Sequence, residues 1–210
     1  GEEGVIVIDT LMTPTLAGSL RNVVRDVTSK PIRYVINTHF HGDHVYGNQY
    51  FLPAPIIGHE NCRFDLDTKW ESNFGRYWAR EALQPELSRI RKTLPDVTFK
   101  DHMSLWFGNR EIQLSYHGRA HSNSDILLYL PDDKVLFVGD LAVNKTIPAF
   151  PDGHISNWIQ VLEQVKNIDA DTIVPGHGPV GGRSEFNEAR DLLILLDDQI
   201  REAFDAGISE

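Results

Sequence analysis

Short apolar runs alternate with amphipathic segments from the first residues onward. Val5 to Ile8 has the length of a strand, and "TPTLAGSLRNVVRDVTS" follows it with a Thr-Pro start signal and Leu16, Leu20, Val23, Val24 and Val27 at helical spacing. Pro31 closes that connection, and Ile32 to Ile36 is a second apolar strand. Strand, helix and strand in this order predict a parallel pair joined by a crossover. "FLPAP" is then a break and "IIGH" a short strand, while residues 59 to 93 form a polar, aromatic-rich helical stretch. Its Trp70, Phe74, Tyr77 and Trp78 lie at spacings of three and four, which favours core packing over the lining of a cleft. From 97 to 139 the pattern changes to strands, "MSLWF", "REIQLSYH", "DILLYL" and "KVLFVG", with turn signals at Gly108-Asn109 and Pro131-Asp132-Asp133. An amphipathic helix is predicted over 155 to 168 through Ile155, Trp158, Ile159, Leu162 and Val165, then a strand in "TIVPG" and a closing helix over 184 to 205. No internal repeat or low-complexity segment interrupts this order.

Composition narrows the class. With 210 residues, 41% of them hydrophobic, the chain can bury one good core without staples, and a single domain spanning 1–210 is expected. The lone cysteine, Cys62, excludes an internal disulfide framework and a cysteine-built zinc site, so any metal must be held by nitrogen and oxygen. A formal charge of −10, from 20 basic and 30 acidic residues, argues against a nucleic-acid partner, whose backbone needs clustered Lys and Arg. No run approaches the roughly 20 apolar residues of a membrane span; the longest is "LLILL" at 192 to 196. A water-soluble protein with a small-molecule substrate, binding neither nucleic acid nor membrane, is expected. It opens on "GEEGVIVIDT", which reads as the turn and second strand of a hairpin already under way, so upstream residues are expected to have been removed.

The chemistry concentrates in "NTHFHGDH", residues 37 to 44, directly after the second strand. His39 and His41, two apart in an irregular segment, can face one side while Asp43 and His44 turn toward a neighbouring point. Imidazole with carboxylate suits zinc, and also iron or manganese, whereas calcium wants more oxygens. Three more candidates stand beside predicted strand ends: His121 in "GRAHSNSD", Asp140 in "FVGD" and His177 in "VPGHG". Loops at the carboxyl ends of strands converge in layered α/β folds, which makes them natural ligand donors. One division places His39, His41 and His121 on a first metal and Asp43, His44 and His177 on a second, with Asp140 bridging. Three protein ligands leave a position for water, as a catalytic zinc requires. Singly, His177 reads as a turn residue and Asp140 as a cap; as a set they read as two metal sites. His59, His102, His117 and His154 receive no ligand role.

In this order, with "GVIVIDT" ahead, "THFHGDH", "GRAHSNSD", "FVGDL" and "VPGHG" closely resemble the metallo-β-lactamase-fold hydrolase superfamily over residues 4 to about 182. The resemblance implies an α/β fold, a four-layer αβ/βα sandwich with a dinuclear site at one edge, holding two Zn2+ or else iron or manganese. It also implies further N-terminal strands that this chain lacks. True metallo-β-lactamases carry cysteine or serine where Asp140 stands, while related thioesterases and lactonases carry a bridging aspartate, so the match leans away from antibiotic hydrolysis. Including "KPIRYVINTHFHGDHVYGN", the chain is most similar to bacterial hydrolases of this fold, some linked to sulfur or quinoprotein oxidation, and either the cytoplasm or the periplasm fits. The expected activity is a dinuclear metal-dependent hydrolase directing a metal-bound hydroxide at an ester, thioester, lactone or amide carbonyl, with Asp43 orienting that hydroxide and taking its proton. The alternatives are a mononuclear iron oxidoreductase resembling the persulfide dioxygenases, a β-lactamase, and a metal-binding protein without turnover.

Overall fold

Strand-forming runs of Val and Ile set the frame of the computed structural model, which describes residues 1–208. β1 (Val5–Ile8) pairs in parallel with β2 (Ile32–Ile36) through the crossover helix α1 (Pro14–Val27). That helix starts where the Thr13 side chain accepts from the Leu16 amide at 3.3 Å and Pro14 supplies a pre-set first turn. The single turn α2 (Gly42–Val45) follows β2, and β3 (Ile56–His59) extends the parallel sheet.

Residues 59 to 93 depart from one continuous helical stretch. They divide into α3 (Glu60–Thr68), α4 (Trp70–Trp78) and α5 (Gln84–Leu87). Lys69 is the reason for the first break: its φ of −100° and ψ of 9° end α3 and start α4. Pro85, in the first turn of α5, fixes the last piece. β4 (Val97–Phe99) then completes a parallel sheet of order β1-β2-β3-β4.

The remaining strands are β5 (His102–Phe107), β6 (Arg110–Tyr116), β7 (Ile126–Leu130), β8 (Val135–Gly139) and, after α6 (Ile155–Val165), β9 (Thr172–Pro175). They form a second sheet in that order, antiparallel from β6 to β8, with β9 parallel to β8. α7 (Arg183–Asp205) closes the chain.

Packing divides the protein into two compact units, Gly1–Arg110 and the residues from Glu111 onward. In the first, Phe40, Tyr46, Cys62, Leu66 and Leu87 form one buried cluster, and Trp70, Phe74 and Tyr77 pack against it. The aromatic stretch is therefore core, as its spacing predicts, except that Trp78 is 38% exposed. A second cluster, with Val7, Ala17, Val35 and Ile56, seats α1 on its sheet. The core of the second unit is built on Leu127, Val138, Trp158, Leu162, Phe186 and Leu193. Among the described residues no helix is long and apolar enough to cross a membrane.

Candidate metal centre

In the first unit, the segment after β2 brings His39, His41, Asp43 and His44 together. His39 Nε2 faces His41 Nδ1 at 3.2 Å, and the His39 and His44 rings lie 4.1 Å apart. His44 Nε2 is 3.7 Å from Asp43 Oδ2. His39 is wholly buried, and His41 and His44 are buried too. Crowded imidazoles in a dry environment are costly unless their lone pairs share an acceptor of electron density, and a cation is the simplest such group.

Asp9, at the end of β1, organises this cluster. Its carboxylate accepts from the Thr38 amide at 2.8 Å, from the Thr38 hydroxyl at 2.7 Å and from His44 Nδ1 at 2.7 Å. Because the Thr38 hydroxyl donates to Asp9, its oxygen is left to accept from His39 Nδ1, 3.0 Å away. One carboxylate thus assigns the Nδ1–H tautomer to both His39 and His44 and turns both Nε2 lone pairs outward. Asp9 sits at φ 58°, a region that non-glycine residues seldom occupy, and these bonds hold it there.

A second supporting contact comes from α4. The Tyr77 hydroxyl donates to Asp43 Oδ1 at 2.8 Å, leaving Oδ2 directed at His44. Burial, then the charge of Asp43, pushes the Tyr77 phenol well above its ordinary pKa, so it remains a donor. Sequence reasoning missed both residues. Asp9 carried a usable signal, an aspartate ending an apolar strand just as Asp140 does; Tyr77 carried none, being one aromatic among several.

In the second unit the loops after β6, β8 and β9 bring His121, Asp140 and His177 together. His121 Nε2 and His177 Nε2 each lie 3.4 Å from Asp140 Oδ2. His121 and Asp140 are buried, whereas the His177 side chain is 44% exposed. The His121 ring meets Trp158 edge-on at 5.1 Å, and the Trp158 indole donates to the Leu141 carbonyl at 2.8 Å, fixing that wall. Gly176 is required by close approach: a Cβ there would overlap Asp140 Oδ1 and come within 2.8 Å of the Gly139 carbonyl carbon. The loop before His121's strand neighbour β7 is stiffened by Asp125, which accepts from the Ser122 amide and hydroxyl at 2.6 and 2.8 Å.

Among the described residues, the clustered side chains able to hold a metal ion are drawn from His39, His41, Asp43, His44, His121, Asp140 and His177. Their donor atoms are imidazole nitrogens and carboxylate oxygens, a set that fits zinc, iron or manganese. Cys62 is in the core of the first unit. Of the other histidines, His59 and His154 accept from amides at the starts of α3 and α6, and His117 bonds Ser115.

The metallo-beta-lactamase superfamily model matches residues 1–177, and the chain belongs to that superfamily. It is 26% identical to a type 2 metallo-beta-lactamase of Bacillus cereus, over 91% of this chain and 69% of that protein. It is 24% identical to a linear primary-alkylsulfatase of a Pseudomonas species, over 99% of this chain but only 46% of the relative, so the chain spans about half of that protein's length. Among solved structures, a metallo-beta-lactamase from Pontibacter korlensis superposes with a TM-score of 0.73 at 22% identity, covering 91% of this chain and 82% of that one. The α/β fold with two sheets and helices is that of the metallo-β-lactamase structures.

Proposed function

We propose that the protein is a dinuclear metal-dependent hydrolase acting on an ester, thioester, lactone or amide carbonyl, with residues 1–210 working as one metallo-β-lactamase-like domain. The observation that carries this reading is that each unit gathers a His/Asp cluster of its own, His39, His41, Asp43 and His44 in the first and His121, Asp140 and His177 in the second, the first with dedicated supports, Asp9 behind His39 and His44, and Tyr77 behind Asp43. His39, His41 and His121 would hold one metal and Asp43, His44 and His177 the other, with Asp140 bridging. Bound there, two metals would acidify a water and polarise a scissile carbonyl.

The chain's own residues supply the rest. Asp43, fixed on one oxygen by Tyr77, offers the other to take a proton from the attacking water. Asp9 and Thr38 keep the His44 and His39 imidazoles aimed before a substrate arrives. Trp158 and the core beneath it hold His121 in a dry wall.

Asp140 favours this reading over a β-lactamase, and the likeness to an alkylsulfatase adds sulfate esters to the substrates worth testing. The deciding experiment is elemental analysis of protein purified without added metal, paired with a screen of esters, thioesters, lactones, β-lactams and alkyl sulfates. Two transition metals per chain and turnover of a carbonyl substrate are expected. A single iron with sulfur-oxidising activity would replace the reading with the persulfide dioxygenase-like one.

A further inference from the structure

We propose a second binding site, at the amino end of β2, for a phosphate monoester carried on a flat ring system. A cavity of about 550 Å³ opens there between the last turns of α1, the start of β2 and the segment leading to β3. Its size is that of small-molecule pockets, which run from roughly 300 to 1,000 Å³. The candidate metal centre of the same unit follows the opposite, carboxyl end of β2, five residues or about 15 Å of strand away.

Every charged side chain of the rim is cationic. Arg21, Arg25, Lys30 and Arg33 line the cavity, and no carboxylate does. In a chain of net charge −10 that is a marked local excess. Among the described residues none of the four makes an ion pair: Arg25 bonds the Asn22 amide oxygen and Lys30 the Gly1 carbonyl. Arg21 and Arg25 project from one face of α1, four residues apart, while Lys30 and Arg33 arrive from the connection and from β2. Like charges left together without counter-charges repel, and a bound anion removes that cost. Guanidinium forks match the oxygens of a phosphate, and four cations suit a group carrying about −1.5 to −2 at neutral pH.

The rest of the lining is mainly aromatic and apolar. Tyr34, Tyr50, Phe51, Pro53 and Ala54 are part of it, and Phe51 and Ala54 belong to the buried core. Flat aromatic and proline surfaces beneath a cationic rim fit a ring system attached to the phosphate better than inorganic phosphate alone.

The test is equilibrium binding of 2-naphthyl phosphate, with 2-naphthyl sulfate and inorganic phosphate as comparisons. It is run on the protein as purified and again after chelation, since oxyanions also bind metals. Saturable binding of naphthyl phosphate that survives chelation, weakens with salt and exceeds inorganic phosphate by at least tenfold is expected. Arg21→Gln with Arg33→Gln should weaken it at least tenfold, and Arg25→Gln with Lys30→Gln provides an independent pair; all four side chains are exposed, so folding is preserved. Binding that is abolished by chelation, or unaffected by both pairs, would overturn the site. Equal affinity for inorganic phosphate, or tighter binding of the sulfate, would overturn the assignment of its ligand.

Discussion

Asp43 is proposed both to bind metal and to move a proton, and the two roles separate in Asp43→Asn. The amide keeps one oxygen and the shape but loses charge and basicity, so on whichever substrate turns over kcat should fall by ~10²–10⁴ even with metal resupplied to saturation. Recovery of near-parental kcat would leave Asp43 as a ligand only. Tyr77→Phe removes the 2.8 Å bond that fixes Oδ1 and little else, because the ring stays packed in its cluster. Metal affinity, read by chelator competition, should weaken by roughly 10- to 100-fold, with the melting temperature little changed. Unaltered metal affinity would make the tyrosine merely a core residue. Asp9→Asn tests the tautomer relay: its amide can present a donor where His44 Nδ1–H and the Thr38 hydroxyl need an acceptor, so both imidazoles lose their aim. Affinity should drop in that variant by a factor of about 10 to 100, and less in Thr38→Val, which breaks the link to His39 and the hydroxyl bond to Asp9 but leaves Asp9 its bonds to the Thr38 amide and to His44.

At the scale of elements, neighbouring parallel strands β8 and β9 deliver Asp140 and His177 from adjacent ends, and Gly176 lets the two loops touch. Gly176→Ala should therefore cost ~1–3 kcal/mol of stability by overpacking and also displace Asp140, lowering the metal content. Thr13→Ala, which removes the cap of α1, should cost about 1 kcal/mol and leave the metal content intact. Denaturant midpoints and elemental analysis on both variants check the contrast. The same elements show what the linear pattern discloses. β1, β2, β3 and α1 declare themselves because branched apolar runs and a capped amphipathic helix are local signals, and the candidate ligands beside strand ends are located by the same signals. β4 escapes notice because three residues, Val97 to Phe99, carry no period. The first break in the stretch from 59 to 93 falls at Lys69, an ordinary helix former, so residue type gives no warning of it. Asp9 and Tyr77 reach their partners across 35 and 34 residues, a separation that no spacing rule spans. The cationic rim is spread over 13 positions with acidic and apolar residues between, and only the fold gathers it. The division at Arg110 falls inside the β5–β6 region, where no linker composition marks it.

For the whole molecule the consequential quantity is metal stoichiometry, because seven nitrogen and oxygen donors exceed what one open site uses. If both sets are filled, the ions bind the native chain and not the unfolded one, so chelation should lower the thermal midpoint as well as abolish turnover. The two sets should also empty separately. His39→Ala and His121→Ala remove donors from the first proposed site, whereas His177→Ala removes one from the second, and His177 is the more exposed ligand with the least packing to lose. Its variant should therefore retain about one metal per chain and a near-parental melting curve, while His39→Ala, deep in the first unit, should lose metal and stability together. Elemental analysis after exhaustive dialysis reads the stoichiometry directly, and calorimetry of each apo and reloaded variant reads the coupling to folding. Equal loss of both ions in every variant would mean that Asp140 ties the sites into one cooperative unit and that the division proposed for them is wrong.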